Sequence, residues 1–158
     1  MKIRPYTQDD FIQILDIYAQ GKLDELIFEP NKFTLIPLNQ DEKRYKAFLQ
    51  SQVFVYVEYK DKGKNDDKGE SKVCGYVAIH QSVISSLFVH PNERGKSIGG
   101  QLLKHALNQT LSPMTLQVVS SNTPAKNLYL KQGFKKQKSY LAEYNGVDVW
   151  VEKMVYQT

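Results

Sequence analysis

Seven residues, Arg94 to Gly100, read Arg-Gly-Lys-Ser-Ile-Gly-Gly. Two cations and three glycines in so short a span suit one task above others, the holding of a phosphate. An apolar run, Val83 to Val89, comes just before, and apolar residues at helical spacing, Leu102, Leu103, Ala106 and Leu107, come just after. The layout is strand, basic turn, helix. Backbone N–H groups at a helix start have no partner inside the helix and carry the positive end of its dipole. Glycines let that backbone approach an anion closely. The turn is therefore expected to hold a phosphorylated ligand, a pyrophosphate in particular. A nucleoside-triphosphate loop would need a glycine at position 90, where His90 stands, and the dinucleotide fingerprint GxGxxG is missing.

The stretch resembles the pyrophosphate-binding motif of the GNAT superfamily of N-acetyltransferases: Gln or Arg, two residues, Gly, one residue, then Gly or Ala. It falls on Arg94, Ser97 and Gly99, with Ser97 in place of the usual glycine. A serine there can cap the helix that follows. A second segment, Asn-Thr-Pro-Ala-Lys-Asn-Leu-Tyr-Leu-Lys-Gln-Gly-Phe from Asn122, is similar to the family's other signature. Asn122, Ala125, Tyr129, Gly133 and Phe134 match it in order and at the right distance after the first motif. The resemblance covers roughly residues 73 to 156. It implies an α/β (α+β) fold with a central mixed, mostly antiparallel sheet of about seven strands and helices on both faces. In that fold the fourth and fifth strands, here 83–89 and 114–119, splay apart and admit the pantetheine arm of acetyl-CoA. The arm would pair with backbone near Leu87, Phe88 and Val89, as an added strand does. The activity implied is direct acetyl transfer from acetyl-CoA, as co-substrate, to a primary amine of a small molecule or peptide.

By the same resemblance Tyr129 gives a proton to the departing thiolate, whose parent thiol has a pKa of about 8.5. The position makes physical sense, on a helix that starts just past the fifth strand. Leu128 and Tyr129 also suit an apolar helix face, so a core aromatic is the competing reading; the surrounding motif favours the acid. Asn122 matches the residue that hydrogen-bonds the cofactor arm, and it also reads as a turn residue before a helix cap. Arg94 and Lys96 offer charge to the pyrophosphate. The backbone of Arg94, Gly95, Lys96, Ser97, Ile98, Gly99 and Gly100 is expected to carry most of the binding. Lys126 and Lys131 are candidates for the ribose phosphate, or simply exposed helical lysines.

No general base stands out. Some relatives place a glutamate at the start of the fourth strand, where this chain has Val83. His80, Glu25, Glu29, Glu58 and Glu143 remain as candidates, directly or through a water. The acceptor site is expected to form from residues 18–38 and the last hairpin. There Asp16, Asp24, Glu25 and Glu29 outnumber Lys22. Such a lip would attract a cationic amine, or only solvate a loop. His80, His90 and His105 show no ligand spacing with Cys74, so no metal is expected. Ser85 and Ser86 have no acid–base pair near them in sequence. A rival reading keeps the cofactor site without catalysis, as an acyl-CoA sensor or an interaction module.

The elements that must position these groups follow from pattern. Ile3 to Tyr6 suits a short edge strand. Thr7 caps a helix with Phe11, Ile14, Leu15 and Tyr18 on one face. Residues 20–38 read as irregular, with a short helix around Leu23 to Phe28. Asn39 with Glu42 opens another helix that buries Tyr45, Phe48 and Leu49. Strands are expected at Val53–Tyr59, Val73–His80, Val83–Val89, Met114–Val119, Lys135–Glu143 and Val147–Tyr156. Helices are expected at Ser97–Thr110 and from Thr123, with Pro124 at the first position and Gly133 as the stop. Lys60 to Lys72 reads as a solvated hairpin loop, and Asn145-Gly146 as a hairpin turn.

The 158 residues, 41% hydrophobic and 24% charged, suit one globular domain, 1–158. No apolar run approaches the length of a membrane helix, and the N-terminus has no signal-peptide core. Cys74 is the only cysteine, which suits a reducing, cytoplasmic location. The lysines behind the net charge of +4 are scattered, so a polyanionic cofactor is a better account of them than nucleic acid. A homodimer paired through the C-terminal strands is compatible with the fold.

Overall fold

The computed structural model describes residues 2–60, 71–110 and 113–157. Most of the expected Lys60–Lys72 loop lies outside those residues. Strand β1 (Lys2–Pro5) leads through a single 3-10 turn, Gln8–Asp10, into helix α1 (Phe11–Glu25). The Thr7 N–H donates to Asp10 Oδ2 at 2.9 Å, and the Arg4 guanidinium meets both oxygens of Asp10 at 2.8 and 2.9 Å. That bidentate pair fixes the entry of α1 to the edge of the sheet. Helix α1 runs on to Glu25, into the start of the segment expected to be irregular, and its last turn takes up the beginning of the short helix foreseen around Leu23 to Phe28. Helix α2 (Glu42–Leu49) is capped by Asp41, whose side chain accepts from the Arg44 N–H, rather than by Asn39. Phe48 is buried as expected, but Leu49 is 61% exposed, because it falls off the inward face.

The remaining elements are β2 (Gln52–Tyr59), β3 (Ser71–His80), β4 (Val83–Val89), α3 (Ile98–Leu107), β5 (Met114–Val119), α4 (Thr123–Lys131), β6 (Lys135–Tyr144) and β7 (Val147–Tyr156). The strands form one sheet in the order β1-β2-β3-β4-β5-β7-β6. Every neighbouring pair is antiparallel except β4–β5. Strands β2 and β3 are apolar on both faces because both faces are covered. Val53, Val55, Val57 and Tyr76 meet Ile14, Ile17, Tyr18 and Phe48 on the α1/α2 side. Phe54, Tyr56, Val77 and Ile79 share the other core with Leu102, Leu103, Tyr129 and Phe134, on the α3/α4 side. Asn145 and Gly146 both adopt positive φ, 49° and 82°, as a two-residue hairpin turn requires. The Asn145 side chain accepts from Arg44 at 3.0 Å and donates to the Thr34 carbonyl at 2.6 Å, so the last hairpin is tied to α2 and the preceding loop.

Candidate active site

Strands β4 and β5 pair at only two positions, Val83 with Thr115 and Ile84 with Leu116. Beyond them the strands part. From Ser85 to Val89 the β4 backbone is paired to β3 on one side only. An unpaired strand edge offers a row of N–H and C=O groups to any extended partner. A cleft of about 460 Å³ opens there. Its walls are Leu87, Phe88 and Val89 of β4, Leu116 and Val118 of β5, Asn122, Leu128 and Tyr129 at α4, and the last turns of α1. Tyr129 is only 8% exposed, and its ring packs on Phe134 at 5.8 Å between centroids. Burial, and then the nearby Glu25 carboxylate, push its hydroxyl pKa up. At neutral pH it keeps its proton, and it is a hydrogen-bond donor on a residue that lines the cleft. Asn122, not Thr123, caps α4: its side chain accepts from the Ala125 N–H at 3.5 Å, and it also lines the cleft.

The basic turn sits beside this opening. Gly95 has φ 77° and Ser97 has φ 61°, both in the left-handed region. Ser97 occupies the cap position of α3, but its side chain makes no capping bond. Its departure from the usual glycine thus leaves a conformation that glycine would adopt more easily. A Cβ on Gly99 would meet Leu128 at 3.3 Å, and one on Gly100 would meet Gln132 at 3.4 Å. Those glycines therefore let α3 close on α4. Ile98 is buried in the core at 2% exposure, so its side chain is packing and only its backbone is left for a ligand. Arg94 lines the cleft and pairs with Asp24 at the end of α1. Lys96 donates to Glu93 at 2.6 Å.

Residues 50–136, more than half the chain, match the family model for the acetyltransferase (GNAT) domain. The chain belongs to this family. A curated relative of this GNAT protein is the peptidyl-lysine N-acetyltransferase YjaB of Salmonella typhimurium, 40% identical over 67 residues. That alignment takes in 42% of this chain and 45% of the relative, so the chain spans about half the length of the curated protein it matches. The fold is matched over nearly the whole chain. A GCN5-related N-acetyltransferase of Rhodopseudomonas palustris superposes with a TM-score of 0.71 at 16% identity, covering 99% of this chain and 95% of the other. The Salmonella typhimurium protein yncA, solved with its cofactor acetyl-CoA, gives 0.67 at 20% identity over 99% of this chain and 93% of its own.

The GNAT domain treats the remaining candidates unequally. Of the possible bases, Glu25 alone lines the cleft, where it accepts from Lys22 at 2.9 Å. Glu29 accepts from Ser121 at 2.8 Å, His80 faces the Gln50 carbonyl at 3.3 Å, and Glu143 is exposed on β6. Glu58 lies with Cys74 and Glu93, one ligand atom of each within 4.8 Å of the others. Both Glu93 oxygens there already face lysines, Lys72 and Lys96. Lys126 donates to the Ser120 carbonyl at 2.8 Å and lies 3.4 Å from Glu152, while Lys131 is exposed. Two of the four lip acids face cations, Asp24 with Arg94 and Glu25 with Lys22, while Asp16 lies 3.3 Å from the His90 ring and Glu29 faces the Ser121 hydroxyl. Sequence reasoning missed Glu93, Arg44 and Tyr144. Glu93 stands three residues before Lys96, a spacing that could have signalled their pairing.

Among the described residues no helix is long and apolar enough to cross a membrane.

Proposed function

We propose that this protein is an N-acetyltransferase that moves an acetyl group from acetyl-CoA directly to a primary amine. The observation that carries the reading is the Tyr129 hydroxyl on the wall of a cleft that opens where β4 and β5 part. The chain fits the co-substrate on three counts: an unpaired β4 edge for an extended amide-bearing arm, a glycine-containing basic turn beside it, and an apolar passage between. When bound, acetyl-CoA supplies an activated acetyl thioester. Ser85 to Val89 would align its arm by main-chain hydrogen bonds, Asn122 would close on it from α4, and Arg94 with the backbone of 94–100 would hold the pyrophosphate.

The residues' chemical work is proton traffic. The acceptor attacks as the neutral amine and loses one proton as the C–N bond forms, and the departing thiolate gains one as the C–S bond breaks. Glu25 is the candidate carboxylate on the cleft wall and takes the first proton, directly or through water. Tyr129 gives the second and is reprotonated from solvent. The acceptor class is supported by the curated relative, whose name assigns it the primary amine of a peptidyl lysine.

Tyr129→Phe tests the reading. It keeps the ring against Phe134 and removes only the acid. Turnover is expected to fall by about 10²–10⁴-fold, with acetyl-CoA affinity close to wild type. Thiol release against an amine panel, with calorimetry for affinity, measures both. Undiminished turnover in the variant removes Tyr129 from the chemistry.

A further inference from the structure

We propose that the acceptor carries a carboxylate, as an amino acid does, and that a second pocket on the α1/α2 side of the sheet binds it. The proposal rests on the acetyltransferase reading and narrows its acceptor. The pocket is about 140 Å³ and shares Lys22, Ser85 and Ser86 with the main cleft, so the two adjoin at the same residues. Its charged and hydroxyl lining consists of donors: Tyr18, Lys22 and Arg44 join the two serines, and no carboxylate lines it.

Tyr18 is the decisive residue. It is 3% exposed, lines the pocket, and its buried hydroxyl has no hydrogen-bond partner. Buried hydroxyls are normally satisfied, so an unpartnered one on a residue that lines a pocket points to a ligand that satisfies it; Tyr76, whose hydroxyl is also unpartnered, lies outside that lining. Both cations also keep donors in reserve. Lys22 uses one of its three protons on Glu25, at 2.9 Å. Arg44 uses Nη1 on Asp41 and Asn145, at 2.6 and 3.0 Å, which leaves the other side of the fork. The two converge on Tyr144, with Lys22 Nζ 5.3 Å and Arg44 Cζ 4.2 Å from its ring centroid. Each is matched by one carboxylate, Glu25 or Asp41, which lets them share a ring without strong mutual repulsion. A small oxyanion finds unused donors on Lys22 and Arg44, while the Ser85 hydroxyl is already spent on the Ala78 carbonyl at 3.2 Å. A bare polyamine finds no carboxylate on the pocket lining to pair with.

The test is calorimetric titration of the protein with matched pairs: lysine and cadaverine, phenylalanine and phenethylamine, alanine and ethylamine. The members of each pair differ only in the carboxylate. We expect the carboxylate-bearing member to bind at least about tenfold more tightly in one or more pairs. Tyr18→Phe should erase about tenfold of that preference while leaving the unfolding midpoint unchanged or raised, since it deletes an unpaired hydroxyl. A purely packing tyrosine would show no change in binding. Arg44→Gln should weaken the same ligand without altering affinity for its decarboxylated partner. Equal binding within every pair, tighter binding of the decarboxylated members, or no binding by any amino acid overturns the proposal. Thiol release from acetyl-CoA on the same pairs tests the enzyme separately: equal turnover within pairs keeps the enzyme and overturns the pocket. Carboxylate-selective binding without turnover keeps the pocket and removes the enzyme.

Discussion

Ser97 stands at φ 61°, where a Cβ crowds the following carbonyl. That conformation costs an L residue about 1–2 kcal/mol, and glycine escapes the cost while losing about 0.4–1 kcal/mol to the freer unfolded chain. Ser97→Gly is therefore expected to stabilise the fold by about 0.5–1 kcal/mol, read from urea unfolding. A loss of stability would mean that the serine hydroxyl has a partner worth more than the strain. Glu93 shows the opposite economy. It is 3% exposed, and hydrogen bonds from Lys72 and then Lys96 hold its carboxyl down to about 2, against an ordinary 4.5. A carboxylate with a depressed folded pKa binds fewer protons folded than unfolded, so stability rises with pH through that window. Its contribution is complete above the ordinary value and fades as pH falls from there towards about 2. Glu93→Gln should destabilise the protein near neutrality, and the gap from wild type should shrink on acidification. An equal gap at about pH 7 and about pH 3 would show that Glu93 acts by shape rather than charge.

At the scale of elements, α4 matters most because it carries Tyr129. Gly133 ends it at φ 103°, and the Phe134 N–H returns to the Tyr129 carbonyl at 3.0 Å. A Cβ on Gly133 would sit 3.1 Å from the Tyr156 ring as well as in a strained conformation. Gly133→Ala should cost about 1–2 kcal/mol in thermal or urea unfolding and lower turnover by tilting Tyr129. Retained turnover in a destabilised variant would separate the helix stop from the site. This helix was legible in the sequence because its start, its proposed acid and its stop are all local: Asn122, Tyr129 and Gly133–Phe134 lie within one turn-bounded segment. Helix α1 was legible only in its first half. Gly21 lies in the segment expected to be irregular, yet it is helical, and a side chain there would run into the Phe88 ring. The glycine was selected by a strand 67 residues away (Gly21 to Phe88), and no local pattern carries that information. The same holds for Glu93 with Lys72, and for Lys22 and Arg44 meeting over Tyr144. The long-range Asp24–Arg94 pair likewise takes one carboxylate out of the expected acidic lip.

The whole molecule is a sheet opened along one seam, with α3 and α4 on one side and α1 and α2 on the other. Tyr129 and the basic turn reach the seam from the first side, and Lys22 and Glu25 reach it from the second. Asp24 bridges the two by holding Arg94, so the end of α1 and the basic turn are coupled before any ligand arrives. A pyrophosphate at the turn would compete with Asp24 for that guanidinium, and a pantetheine arm would supply the missing partner for β4. Both effects act on the folded state alone. Ligand at 100 times its Kd should then raise stability by about 2.7 kcal/mol, or about 5–10 °C in the unfolding midpoint of a chain this size. Acetyl-CoA and CoA should both give that rise. ATP should give less, because it offers phosphates to the turn but no amide arm to the β4 edge. An equal rise with ATP would mean that the turn alone reads the ligand and the parted strands do not. No rise with acetyl-CoA would leave the fold intact and remove the co-substrate on which the transfer reaction depends.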